Sequence, residues 1–176
     1  MKMIHCTADD LDRLEVFYDQ VTAHLEATTN WPLWKYRVYP CRESVAAAIA
    51  AGTQYACEVD GAIAGALILN DDPQGNYEVG HWSRPLLPGS YLVIHTLAVS
   101  PDFSGQGIGV AMVDFCIQYA KEHSMKGIRL DAVPGNIPAR KLYEKCGFQF
   151  AGEVDLKRED CSIPTFALYE YHLSDC

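Results

Sequence analysis

A glycine-rich turn between two apolar segments combines the features that bind an anion through main-chain atoms. Gly105, Gly107 and Gly109 alternate over five residues, and glycines allow both sharp bends and the close approach of a ligand. Residues 110–120 then repeat apolar side chains at helical spacing, so the positive end of a helix dipole would lie at the turn. The sequence therefore predicts a phosphate site that needs neither Lys nor Arg.

The glycine spacing disfavours two common nucleotide-binding motifs. A mononucleotide loop would carry Lys and then Ser or Thr after its second glycine, and this turn has no Lys. A dinucleotide fingerprint needs a small residue three positions after the second glycine, where this chain has Val110 or Met112. A dinucleotide-binding protein that uses Asp131 for the ribose is therefore the weaker alternative.

A second segment, residues 131–148, reads as the end of a strand, a loop and a helix. Pro138 suits the first turn of that helix, and Gly147 suits the position just after its last turn. Asn136, two residues before the proline, has a side chain that commonly caps a helix. The segment therefore predicts a helix with a defined beginning and end.

Together the two segments resemble the GNAT superfamily of acetyl-CoA-dependent acyltransferases. The first, from Leu97 to Gly109, is similar to the family's strand followed by Arg or Gln, two residues and Gly-x-Gly or Gly-x-Ala, with Ser104 at the Arg/Gln position. The second, Asn136-x-x-Ala-x-x-x-Tyr143-x-x-x-Gly-Phe, is similar to the family's second cofactor-binding block. Both occur in the family's order.

The resemblance implies that acetyl-CoA binds along these segments and that no metal is required. The main chain of Leu97 and Val99 would pair with the pantetheine amides as a neighbouring strand would. Asn136 would hydrogen-bond the pantetheine arm, and the small Ala139 would leave room for the cofactor. The residues expected to bind it are Leu97, Ala98, Val99, Ser104, Gly105, Gln106, Gly107, Ile108, Gly109, Asn136, Ala139 and Tyr143.

Acyl transfer to an amine requires a neutral amine, stabilisation of the thioester oxygen and protonation of the departing thiolate. The resemblance implies that Tyr143 protonates the sulfur. The reference pKa of a phenol is about 10, against about 8.5 for a thiol, so this proton transfer is modestly uphill unless the site assists. The alternative is a tyrosine that only packs at a helix end.

Two residues are candidates for the general base. His95 lies two residues after Val93, where many family members carry a glutamate, and so on the same face of the strand. Its neutral imidazole could accept a proton, or it could be a half-buried histidine that shapes the acceptor pocket. Glu78 lies in a segment that carries acceptor-side groups in the family, or it is an exposed carboxylate. Aromatic residues that could line the acceptor pocket, or anchor loops, are Trp31, Trp34, Tyr36 and Trp82.

Composition limits the class of protein. With 176 residues, 49% hydrophobic, the chain is expected to form one domain over residues 1–176. The formal charge of -9 argues against nucleic-acid binding and either favours cationic substrates or only aids solubility.

We expect no signal or membrane segment and a cytoplasmic location, and a homodimer could form. Seven cysteines without a Cys-x-x-Cys pair predict neither a zinc site nor a disulfide framework.

The resemblance implies an α/β (α+β) fold with a mixed, mostly antiparallel central sheet flanked by helices, and the order of strands and helices read from the periodicity matches it. Strands are expected at residues 3–7, 53–59, 63–69, 91–99 and 128–132, and helices at 10–27, 43–51, 110–120 and 139–146. Asp60-Gly61 is a two-residue hairpin turn. Residues 154–173 are expected to form a last pair of strands around Asp160–Pro164.

The resemblance implies an N-acetyltransferase that transfers the acetyl group of acetyl-CoA directly to a primary amine of a small molecule or a protein. The alternative from another class is a module that binds acyl-CoA as a sensor without turnover.

Overall fold

The computed structural model describes residues 1–159 and 162–173. Within these residues the chain forms α1 (Leu11–Ala27), α2 (Arg42–Ala50), α3 (Ile108–Glu122), α4 (Ile137–Lys145), β1 (Lys2–His5), β2 (Gln54–Val59), β3 (Ala62–Asn70), β4 (Tyr91–Val99), β5 (Gly127–Ala132), β6 (Gln149–Val154) and β7 (Phe166–His172). The seven strands form one sheet in the order β1-β2-β3-β4-β5-β7-β6. The predicted mixed, mostly antiparallel sheet with flanking helices is confirmed.

The chain divides into two compact units, and the first comprises Met1–Leu69 and His95–Phe115. Here β2 pairs antiparallel with β1 and β3, and the apolar face of α1 packs on small residues of the strands. The buried cluster contains Leu14, Phe17, Tyr18, Val21, Ala56, Ala66 and Ala98. Asp60 and Gly61 both have positive φ, 50° and 81°, as the predicted two-residue hairpin turn requires.

The second unit comprises Asn70–Ile94 and Cys116–Cys176. The first half of β4 runs parallel to β5, from Tyr91 opposite Gly127 to Ile94 opposite Leu130, whereas β7 is antiparallel to both β5 and β6. Because the chain separates into two units, the expected single domain stays a prediction.

The strand and helix bounds expected from the sequence hold within about two residues, with one correction in the last pair of strands. The first strand of that pair, β6, ends at Val154 instead of following it. Gly152, with φ of +103°, interrupts the strand pattern, and the pairing with β7 shifts register between Phe150 and Glu153. Of the predicted turn, Asp160 and Cys161 lie outside the described residues.

The described residues contain no helix long and apolar enough to span a membrane. In the same part of the chain no group of three or more metal-binding side chains is close enough to hold an ion. The cysteines found there are free thiols, namely Cys6, Cys41, Cys57, Cys116 and Cys146.

Buried phenols and thiols make stability depend on alkaline pH. Burial raises the pKa of Cys6 to about 12 and raises the pKa values of Cys116, Tyr18 and Tyr143. Their unfolded pKa values are about 8.5 to 10, so the stabilisation is complete below those values and is lost as pH rises from them through the raised pKa values of the folded protein. We expect the free energy of unfolding in urea to fall above about pH 9, by up to about 1.4 kcal/mol per pH unit for each group.

The control for this prediction is Cys116→Ala, which removes one buried thiol. Its free energy of unfolding should fall less steeply with pH than that of the wild type, whatever its value at neutral pH. Parallel pH dependences in the two proteins would contradict the assignment to Cys116.

Candidate functional site

The segment between β4 and α3 leaves the strand through an anchored turn. Ser100 is buried, at 4% exposure, and its N–H donates to the Ala64 carbonyl at 2.9 Å. Its Oγ accepts from the Asp102 N–H at 3.3 Å, and Pro101–Phe103 form a single 3-10 turn. The start of the predicted phosphate loop is therefore fixed to the sheet.

Gly105 and Gly107 give the loop its shape. Their φ angles are +74° and +79°, and a Cβ added at either would meet no atom within 4 Å. Ser104 through Gly107 are exposed, and the Gly107 carbonyl accepts the first helical bond of α3, from the Ala111 N–H at 3.0 Å. The N–H groups of α3 that come before Ala111 belong to its first turn, and such groups have no carbonyl acceptor within their own helix. Open space beside bare main-chain donors at a helix N-terminus fits a diphosphate.

Strand β4 does not run regularly up to this loop. Thr96 has φ of +47°, which is the left-handed region and unusual for a β-branched residue. The predicted base His95, which directly precedes it, is 9% exposed, and Ala98 is buried. Leu97 and Val99 are half-buried. Sequence reasoning missed this kink because no glycine marks it.

The second predicted block begins with a helix cap. The Oδ1 of Asn136 accepts from the Ala139 N–H at 3.2 Å, and Pro138 lies in the first turn of α4. Gly147, with φ of +90°, follows the end of the helix. Asn136 therefore caps α4 through its Oδ1. The cap does not use the Nδ2 of the same amide, which can donate to a ligand.

Tyr143 is buried in α4, at 6% exposure. Its ring packs against Phe148, with centroids 5.7 Å apart, and against Tyr169 at 6.3 Å. Burial, followed by the nearby Cys116 and Asp131, raises the pKa of the Tyr143 hydroxyl. The phenol therefore keeps its proton at neutral pH and can act as a donor.

Glu78, the other predicted base, is exposed in a 3-10 turn, Tyr77–Val79. The N–H of Glu78 donates to the Oδ1 of Asn76 at 3.1 Å. Trp82 is an anchor of this segment, because its Nε1–H donates to the Tyr77 carbonyl at 2.5 Å.

Asp131 is occupied by protein groups. Both of its oxygens accept from the Arg158 guanidinium, at 2.8 and 2.7 Å, and the Tyr77 hydroxyl donates to Oδ2 at 2.7 Å. A carboxylate held this way is poorly suited to bind a ribose, which further disfavours a dinucleotide. Sequence reasoning missed the ion pair, since its partners lie 27 residues apart.

The predicted site residues fall into two groups. The first unit holds His95, Leu97, Ala98, Val99, Ser104, Gly105, Gln106, Gly107, Ile108 and Gly109, and the second holds Glu78, Asn136, Ala139 and Tyr143. The first group is a kinked strand followed by an anion-binding loop. The second is a capped helix with a buried phenol, together with an exposed carboxylate.

Solved structures align with nearly the whole chain. An acetyltransferase of the GNAT family from Streptococcus agalactiae has a TM-score of 0.77 at 22% identity, and the alignment covers 99% of this chain and 96% of that one. An acetyltransferase from Salmonella typhimurium, solved with its cofactor acetyl-CoA, has a TM-score of 0.68 at 14% identity and covers 99% and 95%. Identities this low show a shared fold.

Curated relatives match shorter stretches. Streptothricin acetyltransferase of Escherichia coli is 36% identical over 63 residues, which are 36% of this chain and 36% of that protein. Spermine/spermidine N(1)-acetyltransferase of Bacillus subtilis is 40% identical over 62 residues, or 35% of this chain and 41% of that protein. The matches cover between 36% and 58% of the length of the curated relatives.

The family model described as Acetyltransferase (GNAT) family matches residues 18–148. This range is most of the chain and includes His95, the glycine loop and Tyr143. The chain therefore belongs to the acetyltransferase (GNAT) family.

Proposed function

We propose that the chain is an N-acetyltransferase that uses acetyl-CoA to acetylate a primary amine of a small cationic molecule. The observation that carries the proposal is the exposed loop Ser104–Gly107 with the first turn of α3, whose left-handed glycines and first-turn N–H groups fit a diphosphate. Family membership supports the choice of coenzyme, and the similar fold of a protein solved with acetyl-CoA supports it further.

The remaining cofactor contacts follow from the groups that each segment leaves available. The main chain of Leu97 and Val99 pairs with the pantetheine amides, and the Nδ2 of Asn136 donates to a pantetheine carbonyl. Ser104 stands where the family has Arg or Gln, so its hydroxyl supplies a weaker phosphate contact. Ile108, buried at 2% exposure, fixes the first turn of α3 behind the loop.

The coenzyme supplies an acetyl group activated as a thioester. A bond forms between the amine nitrogen and the acetyl carbon, the carbon–sulfur bond breaks, and the sulfur takes up a proton. Tyr143 donates that proton from a hydroxyl that is protonated at neutral pH. Because burial raises the pKa of this hydroxyl, the transfer is more uphill than for an ordinary phenol, and it proceeds as the carbon–sulfur bond breaks and charge develops on the sulfur. The Leu97 N–H donates to the thioester oxygen, which gains negative charge as the amine attacks.

His95 is our first candidate for the base that removes the ammonium proton. We expect His95→Gln to lower kcat/KM about tenfold or more and to change the pH–rate profile, since a base contributes about 10²-fold or more. Glu78→Gln is the matched variant for the exposed candidate. A profile unchanged in His95→Gln but altered in Glu78→Gln would transfer the role to Glu78.

A cationic acceptor is favoured by charge and by the named relatives. The net charge of -9 attracts amines over a Debye length of about 10 Å at moderate salt. Two relatives are named for spermine and spermidine or for streptothricin. Those matches cover under half of each relative. The names therefore support a cationic amine as the class of acceptor, and they do not identify the acceptor of this chain.

The test has two stages. Calorimetric titration of the protein with CoA and with acetyl-CoA should show binding, and NAD should not bind. A mass-spectrometric screen of amines with acetyl-CoA should then show N-acetylated products, among cationic amines first. Absence of CoA binding would overturn the proposal, whereas binding without turnover of any amine would favour the sensor alternative.

A further inference from the structure

A buried tyrosine of α1 contacts the kink in β4. Tyr18 is 2% exposed, and its hydroxyl donates to the main-chain carbonyl of Thr96 at 3.2 Å. Burial raises the pKa of this phenol, so it remains a donor at neutral pH. The contact joins residues 78 positions apart in sequence.

The conformation that Tyr18 contacts is strained. A β-branched residue rarely adopts φ of +47°, and such a conformation persists only where its surroundings hold it. The Oγ1 of Thr96 is buried with no hydrogen-bond partner in the described part of the chain. The carbonyl is thus the polar group of Thr96 through which α1 can hold the kink.

The ring of Tyr18 is itself fixed on two sides. It meets the neighbouring Phe17 edge-on, with centroids 5.0 Å apart, and Trp34 at 6.4 Å. The side chain of Asn30 holds the main chain of Trp34. Its Oδ1 accepts from the Trp34 N–H at 3.0 Å, and its Nδ2 donates to the Trp34 carbonyl at 2.6 Å. The hydroxyl therefore has a defined position at the kink.

Fixing this carbonyl also fixes the N–H of the next residue. The carbonyl of Thr96 and the N–H of Leu97 belong to one planar peptide group, which is trans, so they point in opposite directions. A donor that holds the carbonyl oxygen sets the direction of the Leu97 N–H. It also polarises the peptide, which strengthens that N–H as a donor.

We propose that Tyr18 is a positioning residue whose hydroxyl aims the Leu97 N–H at the thioester oxygen. The inference rests on the proposed acetyl transfer, because only that reaction develops charge on this oxygen. Tyr18 takes no part in bond making, and it acts through the Thr96–Leu97 peptide.

Tyr18→Phe tests the proposal, because it removes the donor and keeps the ring. We expect kcat to fall about tenfold to a hundredfold with KM for both substrates within about twofold, since a misdirected donor loses part of the 10²–10³-fold that one such N–H supplies. Val21→Ala, in the same α1 cluster, is the control for lost packing and should lower the melting temperature without lowering kcat.

A second readout needs no turnover. By NMR of the free protein, Tyr18→Phe should shift the Leu97 amide resonance, because the carbonyl of the same peptide group loses its hydrogen-bond donor. Trp34→Phe, which keeps the hydroxyl but loosens the packing behind it, should give smaller changes and serves if Tyr18→Phe does not fold.

The two readouts separate the failure of this proposal from failure of the proposed function. A wild type that acetylates no amine, with the Leu97 amide still sensitive to Tyr18→Phe, would refute acetyl transfer and leave the positioning contact in place. The positioning role would be overturned if the wild type is active and Tyr18→Phe has the same kcat and the same Leu97 amide resonance as the wild type.

Discussion

Replacing Tyr143 with Phe is expected to lower kcat about 10²- to 10⁴-fold, the contribution of a positioned general acid. The substitution removes one oxygen and keeps the ring that packs on Phe148 and Tyr169. KM for the amine and the dissociation constant of CoA should therefore change little, because the proton is needed only as the carbon–sulfur bond breaks. Steady-state kinetics and calorimetric titration with CoA measure the two effects separately.

The pH dependence of the wild type gives a second check on this acid. Burial raises the pKa of Tyr143, so the acid form is fully present below the ordinary phenol value of about 10. The rate should therefore show no decline from loss of the acid between about pH 7 and pH 9.

The matched control is Tyr171→Phe, which removes a hydroxyl from a tyrosine whose ring also meets Phe148. It should keep the wild-type kcat. If both variants keep the wild-type rate, Tyr143 is a packing residue and the departing sulfur takes its proton elsewhere.

Local patterns predicted most of the fold. The apolar spacing in α1 and the Asp60-Gly61 turn depend on neighbours a few residues apart, which a single sequence displays. Pro138 and Gly147 mark the two ends of α4 in the same way. Residues within a few positions of each other determine these features, so a single sequence is enough to predict them.

The features that were missed depend on distant partners. β6 carries an internal glycine and a register shift, and it becomes a strand by pairing with β7. Thr96 takes a left-handed conformation against its own preference, and the partner of its carbonyl, Tyr18, is remote in sequence. No local pattern encodes contacts of this kind.

The candidate site was predictable to the extent that main-chain geometry decides it. Alternating glycines predicted the shape of the loop, since Gly105 and Gly107 require φ values that other residues rarely adopt. Burial of His95 and exposure of Glu78 depend on tertiary packing, so the sequence left both as candidates for the base. The acceptor is less readable still, because side chains from several loops define such pockets.

Adding a methyl group to the phosphate loop should separate coenzyme binding from stability. We expect Gly107→Ala to weaken CoA binding about tenfold to a hundredfold, because the Cβ would occupy the open space beside the loop donors and losing a hydrogen bond to a charged group costs about 1.5–3 kcal/mol. Placing Ala at φ of +79° should also cost about 1–2 kcal/mol of stability.

The hairpin glycine provides a matched control. Gly61 has φ of +81°, and a Cβ there would also meet no atom within 4 Å, so Gly61→Ala carries the same backbone strain in a turn without a proposed ligand. Both variants should lose similar stability in urea, and only Gly107→Ala should lose CoA affinity by calorimetry. Equal CoA affinities in the two variants would place the diphosphate elsewhere. Both variants carry the same backbone strain, and they differ in that only Gly107→Ala adds its methyl group at the proposed phosphate loop.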